Sequence, residues 1–408
     1  MATFYLFWDV SRAVYVLLSL AALGLVVIYR PRMPREHRLY SWPIIAYFAI
    51  VCLSAAAHGL SNSAINQVVS KYLLLPIAIP LATIFYLSFN PGRNTWVKFA
   101  VCSVTMGILA LVDILILNKY RAGGGFNPAA FGFMALVSTA LVAASYRRFR
   151  QSRLGKAIFI VAILLGICAM ILSGTRSSWL TGIAIFFIAI FFYFDRYSIS
   201  RRILISLTLI GGIAIVSSTV PLVQQRVISM IEIVTPYVAG EDQTKYNSLR
   251  YRVEVWKLGL KLGMDNKALG YGPGNTKDKI REYADRHPRF AKLANLNHLH
   301  NQFVQSFAMT GLPGLLSLLV LAACHFWIFA KYLGKHYSSE VRSLALGGVL
   351  MLVSYLVYSM TAIPFAGRHH LTMYGFASAT IWGCLLGALR ESGKDSRREE
   401  TEDQDDRA

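Results

Sequence analysis

The sequence predicts an all-α, polytopic integral membrane protein with about 11–12 transmembrane helices and one long external loop. Three observations lead there. The 408 residues are 55% hydrophobic and only 15% charged, a composition too apolar for a soluble domain of this size. Apolar runs long enough to cross a bilayer recur along the chain, and basic residues gather in alternate connections between them.

About 20 predominantly apolar residues cross roughly 30 Å of hydrocarbon. Runs of that kind lie near 11–29, 40–58, 71–89, 97–117, 127–145, 156–173, 178–195, 203–222, 314–331, 341–362 and 371–389, eleven in all. Lys and Arg outnumber Asp and Glu by 41 to 21, and in a membrane protein this excess reads first as orientation, not as nucleic-acid affinity. Arg30, Arg32, Arg35 and Arg38 follow the first run; Arg147, Arg148, Arg150, Arg153 and Lys156 follow the fifth; Arg196, Arg201 and Arg202 follow the seventh. These connections are expected to be cytoplasmic, with Lys331, Lys335, Arg342 and the tail after Arg390 on the same side. Segment 224–301 is then external. Eleven spans also put the first residues outside, and "MATFYLFWDVSR" reads as the end of a hairpin whose first arm is short or missing. No small-residue cleavage site follows the first run, so a cleaved signal peptide is not expected.

The chain therefore divides into N-terminal transmembrane helices (1–223), an external loop with surface helices (224–301), C-terminal transmembrane helices (302–390) and a charged tail (391–408) expected to be disordered. Cys52, Cys102, Cys168, Cys324 and Cys384 all fall in apolar runs, where they read as small core residues rather than disulfide or zinc ligands. The only D-x-D, Asp403 and Asp405, lies in the tail on the side opposite the loop, a poor place for an external metal site.

A loop of that length usually carries function or folds as a unit. Within it, "SLRYRVEVWKLGLKLG" predicts an amphipathic helix lying on the membrane surface with Leu249, Val253, Trp256 and Leu260 on one side. "GYGPGN", 270–275, is a tight turn. The stretch 300–310 predicts a short helix with Phe303, Val304 and Phe307 as its apolar face; Gly311 ends it and Pro313 opens the next span.

Several residues carry chemistry. Arg176, in "SGTRSSW", sits in a very short connection with hydrocarbon on both flanks. It either snorkels to headgroups or faces a cavity and grips a phosphate through two parallel hydrogen bonds. Arg250 and Arg252 are about 200° apart around a helix, so only one can enter a given pocket. Arg252, four residues before Trp256, is favoured, the alternative being an interfacial arginine attracted to anionic lipid. His300 is the candidate base, since a neutral imidazole accepts a proton near pH 7. His298 is read as a loop residue. Asp113, in "ALVDILIL", is read as structural, pairing with a basic residue or with backbone. In "RAGGGFNPAAFG", Asn127 caps a helix that starts at Pro128.

From His300 onward the pattern narrows to His-Asn, nine residues, then Gly-Leu-Pro-Gly entering a span. With "SGTRSSW", "RVEVW", "GYGPGN" and "GGGFNPAAFG" in order, the chain resembles the O-antigen ligase and O-antigen polymerase superfamily, its signature domain falling at roughly 160–330. The resemblance implies a membrane-embedded (GT-C type) glycosyltransferase in a bacterial inner membrane, with its active site on the periplasmic side. Its donor would be a polysaccharide on undecaprenyl diphosphate and its acceptor lipid A-core oligosaccharide; no cofactor, metal or nucleic acid is implied. His300 matches the catalytic histidine, and Arg176 and Arg252 match the paired arginines. Asn301, Arg250, His298 and Asn127 are further candidates. Polymerisation on the lipid carrier, glycosylation of protein and transport of the lipid-linked sugar are the competing activities; internal repeats and midplane helix breaks, which would favour a transporter, are not evident in the sequence.

Overall fold

The computed structural model describes the backbone of residues 2–90, 95–125, 127–193, 197–238 and 248–405. The first half holds α1 (Ala2–Tyr29), α2 (Glu36–Ala57), α3 (Asn62–Ser70), α4 (Ala78–Leu87), α5 (Thr95–Leu111), α6 (Pro128–Ala144) and the short α7 (Tyr146–Phe149). Then follow α8 (Arg153–Leu172), α9 (Arg176–Tyr193), α10 (Ile199–Ser218) and α11 (Pro221–Val238). The segment between α11 and α14 contributes α12 (Ser248–Asp265) and α13 (Thr276–Arg286), and α14 (Gln302–Ala330), α15 (Ser339–Ser359) and α16 (Arg368–Asp405) complete the chain.

Every one of the eleven apolar runs falls on helix, and among the described residues nine helical stretches are long and apolar enough to cross a membrane. Between α3 and α4 the chain breaks at Lys71 (φ −126°, ψ −70°) and passes through a 3-10 turn, Tyr72–Leu74, before Pro76. The break falls at the charged first residue of the 71–89 run. α1 is one helix from Ala2 to Tyr29, with no Gly or Pro before Gly24 to turn the chain. At the other end α16 continues to Asp405 instead of ending near 390. Its Glu, Arg, Lys and Asp residues extend an existing helix without a proline, and extension is far less costly than nucleation.

The main core lies among α2, α4, α6, α14, α15 and α16, and its buried histidine is paired inside it. His325 makes two ring hydrogen bonds, to the Tyr374 hydroxyl (2.7 Å) and to the Tyr40 carbonyl (3.0 Å), and stacks on Tyr40 at 4.8 Å. Pairing of this kind lets an intramembrane histidine persist as a packing element.

This segment has a second core: Val255, Leu258 and Leu262 of α12, Ile280 and Ala284 of α13, then Leu293, Leu299 and Ala308. Leu260, from the stripe expected against the membrane surface, lies outside this core and is 49% exposed, while Val255 is fully buried in it. Gly259 and Gly263 lie on the core-facing side. A Cβ on the first would lie 2.4 Å from Val304, and one on the second 2.3 Å from Phe307, so a small-residue face brings α12 against α14.

The "GYGPGN" turn fastens this unit to the bundle. Tyr271 and Gly272 donate their N–H groups to the carbonyls of Ala308 (2.9 Å) and Met309 (2.8 Å), and Ser54 donates to the carbonyl of Leu269 (2.6 Å). Gly270, Gly272 and Gly274 have φ of +62°, +83° and +100°, and each is pressed against a different neighbour: Met309, His58 and Ala64. Gly311 (φ 67°, ψ −165°) breaks α14 where the sequence predicts, and Leu312 turns its N–H to the Lys267 carbonyl at 2.7 Å.

Candidate functional site

The predicted short helix begins two residues later than expected. Asn301 is its cap, its side-chain oxygen accepting from Phe303 (3.0 Å) and Val304 (3.1 Å), so His300 stands outside the helix with φ +53°. Few non-glycine residues adopt this conformation, and where they do the surroundings impose it. Here two buried amides impose it. Gln305 accepts from the Leu299 N–H at 3.0 Å and donates to Thr276 at 3.0 Å; Gln302 accepts from Phe365 at 2.9 Å and donates to Ser306 at 3.1 Å. His298 and His300 therefore lie together in one loop. Their rings meet edge to face with centroids 4.1 Å apart, and the His300 N–H donates to His298 Nδ1 at 3.2 Å.

Burial, then the neighbouring His298 and Arg252, push the His300 imidazole down to about 3. Burial, Lys71 and Arg252 likewise lower His298. Burial lowers Arg252 itself, opposed by the nearby Tyr358 hydroxyl, yet a guanidinium keeps its charge under any physiological condition. Arg252 thus lies near His298, His300 and Tyr358. Arg250 lies on α12, but its side chain is outside the described residues, as are those of Asp403 and Asp405.

Arg176 is the first residue of α9 and is half-buried. A chain of hydrogen bonds leads from its neighbour to His300: the Thr361 and Ser177 hydroxyls meet at 2.7 Å, Met360 precedes Thr361, and the Met360 carbonyl accepts from Asn301 Nδ2 at 3.1 Å. Arg176 and His300 therefore stand at the same end of the bundle, each one residue from a linked member of this chain. Asn127 holds only its expected capping position in the contacts seen, accepting from Ala129 at 2.8 Å, and is exposed. Asp113 accepts from the N–H groups of Gly123 (2.7 Å) and Gly124 (2.6 Å) and pairs with Lys119, the structural arrangement predicted for it.

Three basic residues join this end of the molecule without having been singled out from the sequence. Arg121 donates to the Ser173 carbonyl (2.7 Å) and Thr175 hydroxyl (3.3 Å) in the turn leading to Arg176. Lys71 stands at the break between α3 and α4, near His298, and Arg368 opens α16 with a 3.3 Å contact to His369. A lone lysine inside an apolar run was the available signal for Lys71; nothing local marked the other two. The indole N–H of Trp256 and the hydroxyl of Ser178 are among the buried polar groups without a hydrogen-bond partner among the described residues. No group of three or more His, Cys, Asp or Glu side chains that could hold a metal is found among the described residues.

Cations, two imidazoles that are neutral at pH 7 and unpaired donors at one end of a membrane bundle suit an anionic, lipid-borne substrate. Comparison with known proteins agrees with that chemistry. An uncharacterized protein of Haemophilus influenzae is 24% identical over 375 residues, covering 89% of this chain and 91% of that protein. The model of the O-antigen ligase family matches residues 159–319, which run from α8 through α9, α12 and the His298–His300 loop into α14. Over those residues the chain is similar to the O-antigen ligase family.

Proposed function

We propose that this protein is an inverting, metal-independent glycosyltransferase that moves O-antigen polysaccharide from undecaprenyl diphosphate to lipid A-core oligosaccharide at the periplasmic face of the inner membrane. The observation that carries this reading is the junction of His300 with Arg252 and, through Asn301, Met360, Thr361 and Ser177, with the start of α9 at Arg176.

The donor's lipid tail stays in the bilayer and its diphosphate reaches the interface, where Arg176 and Arg252 stabilise the charge that develops as the sugar–phosphate bond breaks. His300 accepts the proton of the acceptor hydroxyl as its oxygen attacks the anomeric carbon from the face opposite the leaving diphosphate. General base assistance of this kind contributes about 10²–10⁴-fold. A base pushed down to about 3 is weak in the empty site, but bound diphosphate sets anionic charge beside it and raises its proton affinity. The base thus gains strength when donor is present.

The test is transfer by purified protein supplied with lipid-linked polysaccharide and lipid A-core. Product on the core supports ligation. Longer chains on the carrier would assign polymerisation in its place, and neither product, with lipid-linked sugar moved across vesicles, would assign transport.

A further inference from the structure

A cavity lies away from the His300 cluster. It occupies about 1780 Å³ among α6, α8, α9, α10 and α11, well beyond the roughly 300–1,000 Å³ of ordinary small-molecule sites. Its walls are largely apolar, with Phe159, Ile163, Phe186 and Ile210 among them. One end is different: Arg147, Arg150, Lys335 and Arg342 all line it. None of the residues of the His300 cluster does.

The basic end belongs to the connections opposite the candidate site. Arg147 and Arg150 follow the C-terminal end of α6, whose N-terminal end lies beside Thr175 and Tyr358. Positive-inside topology needs such residues only in the aqueous connection. Arg342 goes further: it is 7% exposed, and its guanidinium and that of Arg147 approach one ring, Phe192, at 5.0 and 5.6 Å. Basic side chains are thus turned inward at the mouth of an apolar chamber. Basic pockets between transmembrane helices on the cytoplasmic side recognise anionic lipid headgroups.

We propose that this cavity is a phospholipid site, taking one anionic glycerophospholipid whose phosphate lies among Arg147, Arg150, Lys335 and Arg342 and whose acyl chains fill the chamber beside α9. Bound there, the lipid braces α9, the helix that begins with Arg176, from the opposite end.

The full-length protein, extracted with detergent and exchanged into vesicles of equal phosphatidylglycerol and phosphatidylcholine, is re-extracted and its retained lipid measured by native mass spectrometry. Phosphatidylglycerol is expected to be retained in preference to phosphatidylcholine. Each basic contact is worth about fivefold, so the double variant Arg147→Gln, Arg150→Gln should weaken retention roughly 25-fold. A second variant, Ala214→Trp, fills the chamber from α10 without touching the cations, and should also lose the lipid while keeping the unfolding temperature of the parent. Equal retention of both lipids, or undiminished phosphatidylglycerol in either variant, would overturn the assignment. So would displacement by an equimolar polyprenyl phosphate, which would give the chamber to a polyprenyl tail. None of these readouts depends on glycan transfer.

Discussion

The backbone N–H of His300 donates to Nδ1 of His298 at 3.2 Å, while the two rings stand edge to face. The bond requires a bare Nδ1 on His298, so protonation of that nitrogen breaks it and releases the loop that holds His300. Both imidazoles are held down, His300 to about 3. The charged form is disfavoured, and both rings are neutral at pH 7. An unfolded histidine titrates near 6.5, so between about 6.5 and 3 the unfolded chain binds more protons than the folded one. Stability from these groups is complete above about 6.5 and declines as pH falls through that window.

The pH profile of transfer follows from the same shift. The acidic limb of kcat/KM reports the free enzyme, and that of kcat reports the complex. With the site empty, His300 stays unprotonated far below its ordinary range, so kcat/KM should show no His300 limb between pH 8 and 5. Bound diphosphate raises the imidazole, and the kcat limb should lie at higher pH. Coincident limbs, both near 6.5, would show that His300 does not occupy the buried, cation-flanked position described.

His300→Ala should lower transfer by at least about 10²-fold while donor binding stays largely intact, because a general base acts on the acceptor proton. Arg252→Ala should weaken both, and Arg252→Lys should recover little, since an ammonium cannot make the two-pronged contact. Donor binding by a fluorescent lipid diphosphate, measured beside turnover, separates the roles. Full activity in His300→Ala would pass the base to another group, with Glu254 or Asp265 the nearest external carboxylates on α12.

Much of this arrangement was legible in the letters, and the exceptions have physical causes. The apolar runs, the stop at Gly311 and the glycine turn at 270–275 each rest on local chemistry, and the helices and φ values agree with them. The protein-facing side of α12 was not read from the sequence; Gly259 and Gly263, four apart, were the signal that marked the face that packs. Arg121 and Arg368 reach the site end only through the folded arrangement of helices far apart in sequence. The αL conformation of His300 is likewise imposed from outside its own stretch, by Gln305 and Gln302.

Glycine substitutions separate structural need from mere occurrence. An alanine Cβ at Gly311 would lie 2.4 Å from the Lys267 carbonyl, and one at Gly270 would lie 2.4 Å from Met309 backbone, both at positive φ. Gly311→Ala and Gly270→Ala should each cost about 1–3 kcal/mol or more and reduce transfer by loosening the His300 loop from the bundle. Gly212→Ala, in α10 with nothing within 4 Å, should be neutral or stabilising by up to about 1 kcal/mol. Thermal unfolding in detergent reads all three; equal effects at Gly212 and Gly311 would contradict the close approach at Gly311.

Asp113 offers the sharpest test of how the site end is built. One carboxylate oxygen receives both glycine N–H groups, and the other meets Lys119, which is 35% exposed. Removing the carboxylate strands two buried donors, at about 1–3 kcal/mol each, and frees the loop that carries Arg121 to the turn before Arg176. Asp113→Ala should therefore lower both stability and transfer. Lys119→Met leaves both glycine amide bonds to the carboxylate in place and should cost less than Asp113→Ala. Asp113→Asn retains one oxygen for the glycine amides and should fall between the two. If Lys119→Met proved as damaging as Asp113→Ala, the ion pair rather than the two loop amides would be what holds Arg121 in place, and the glycine-rich turn would lose its structural role.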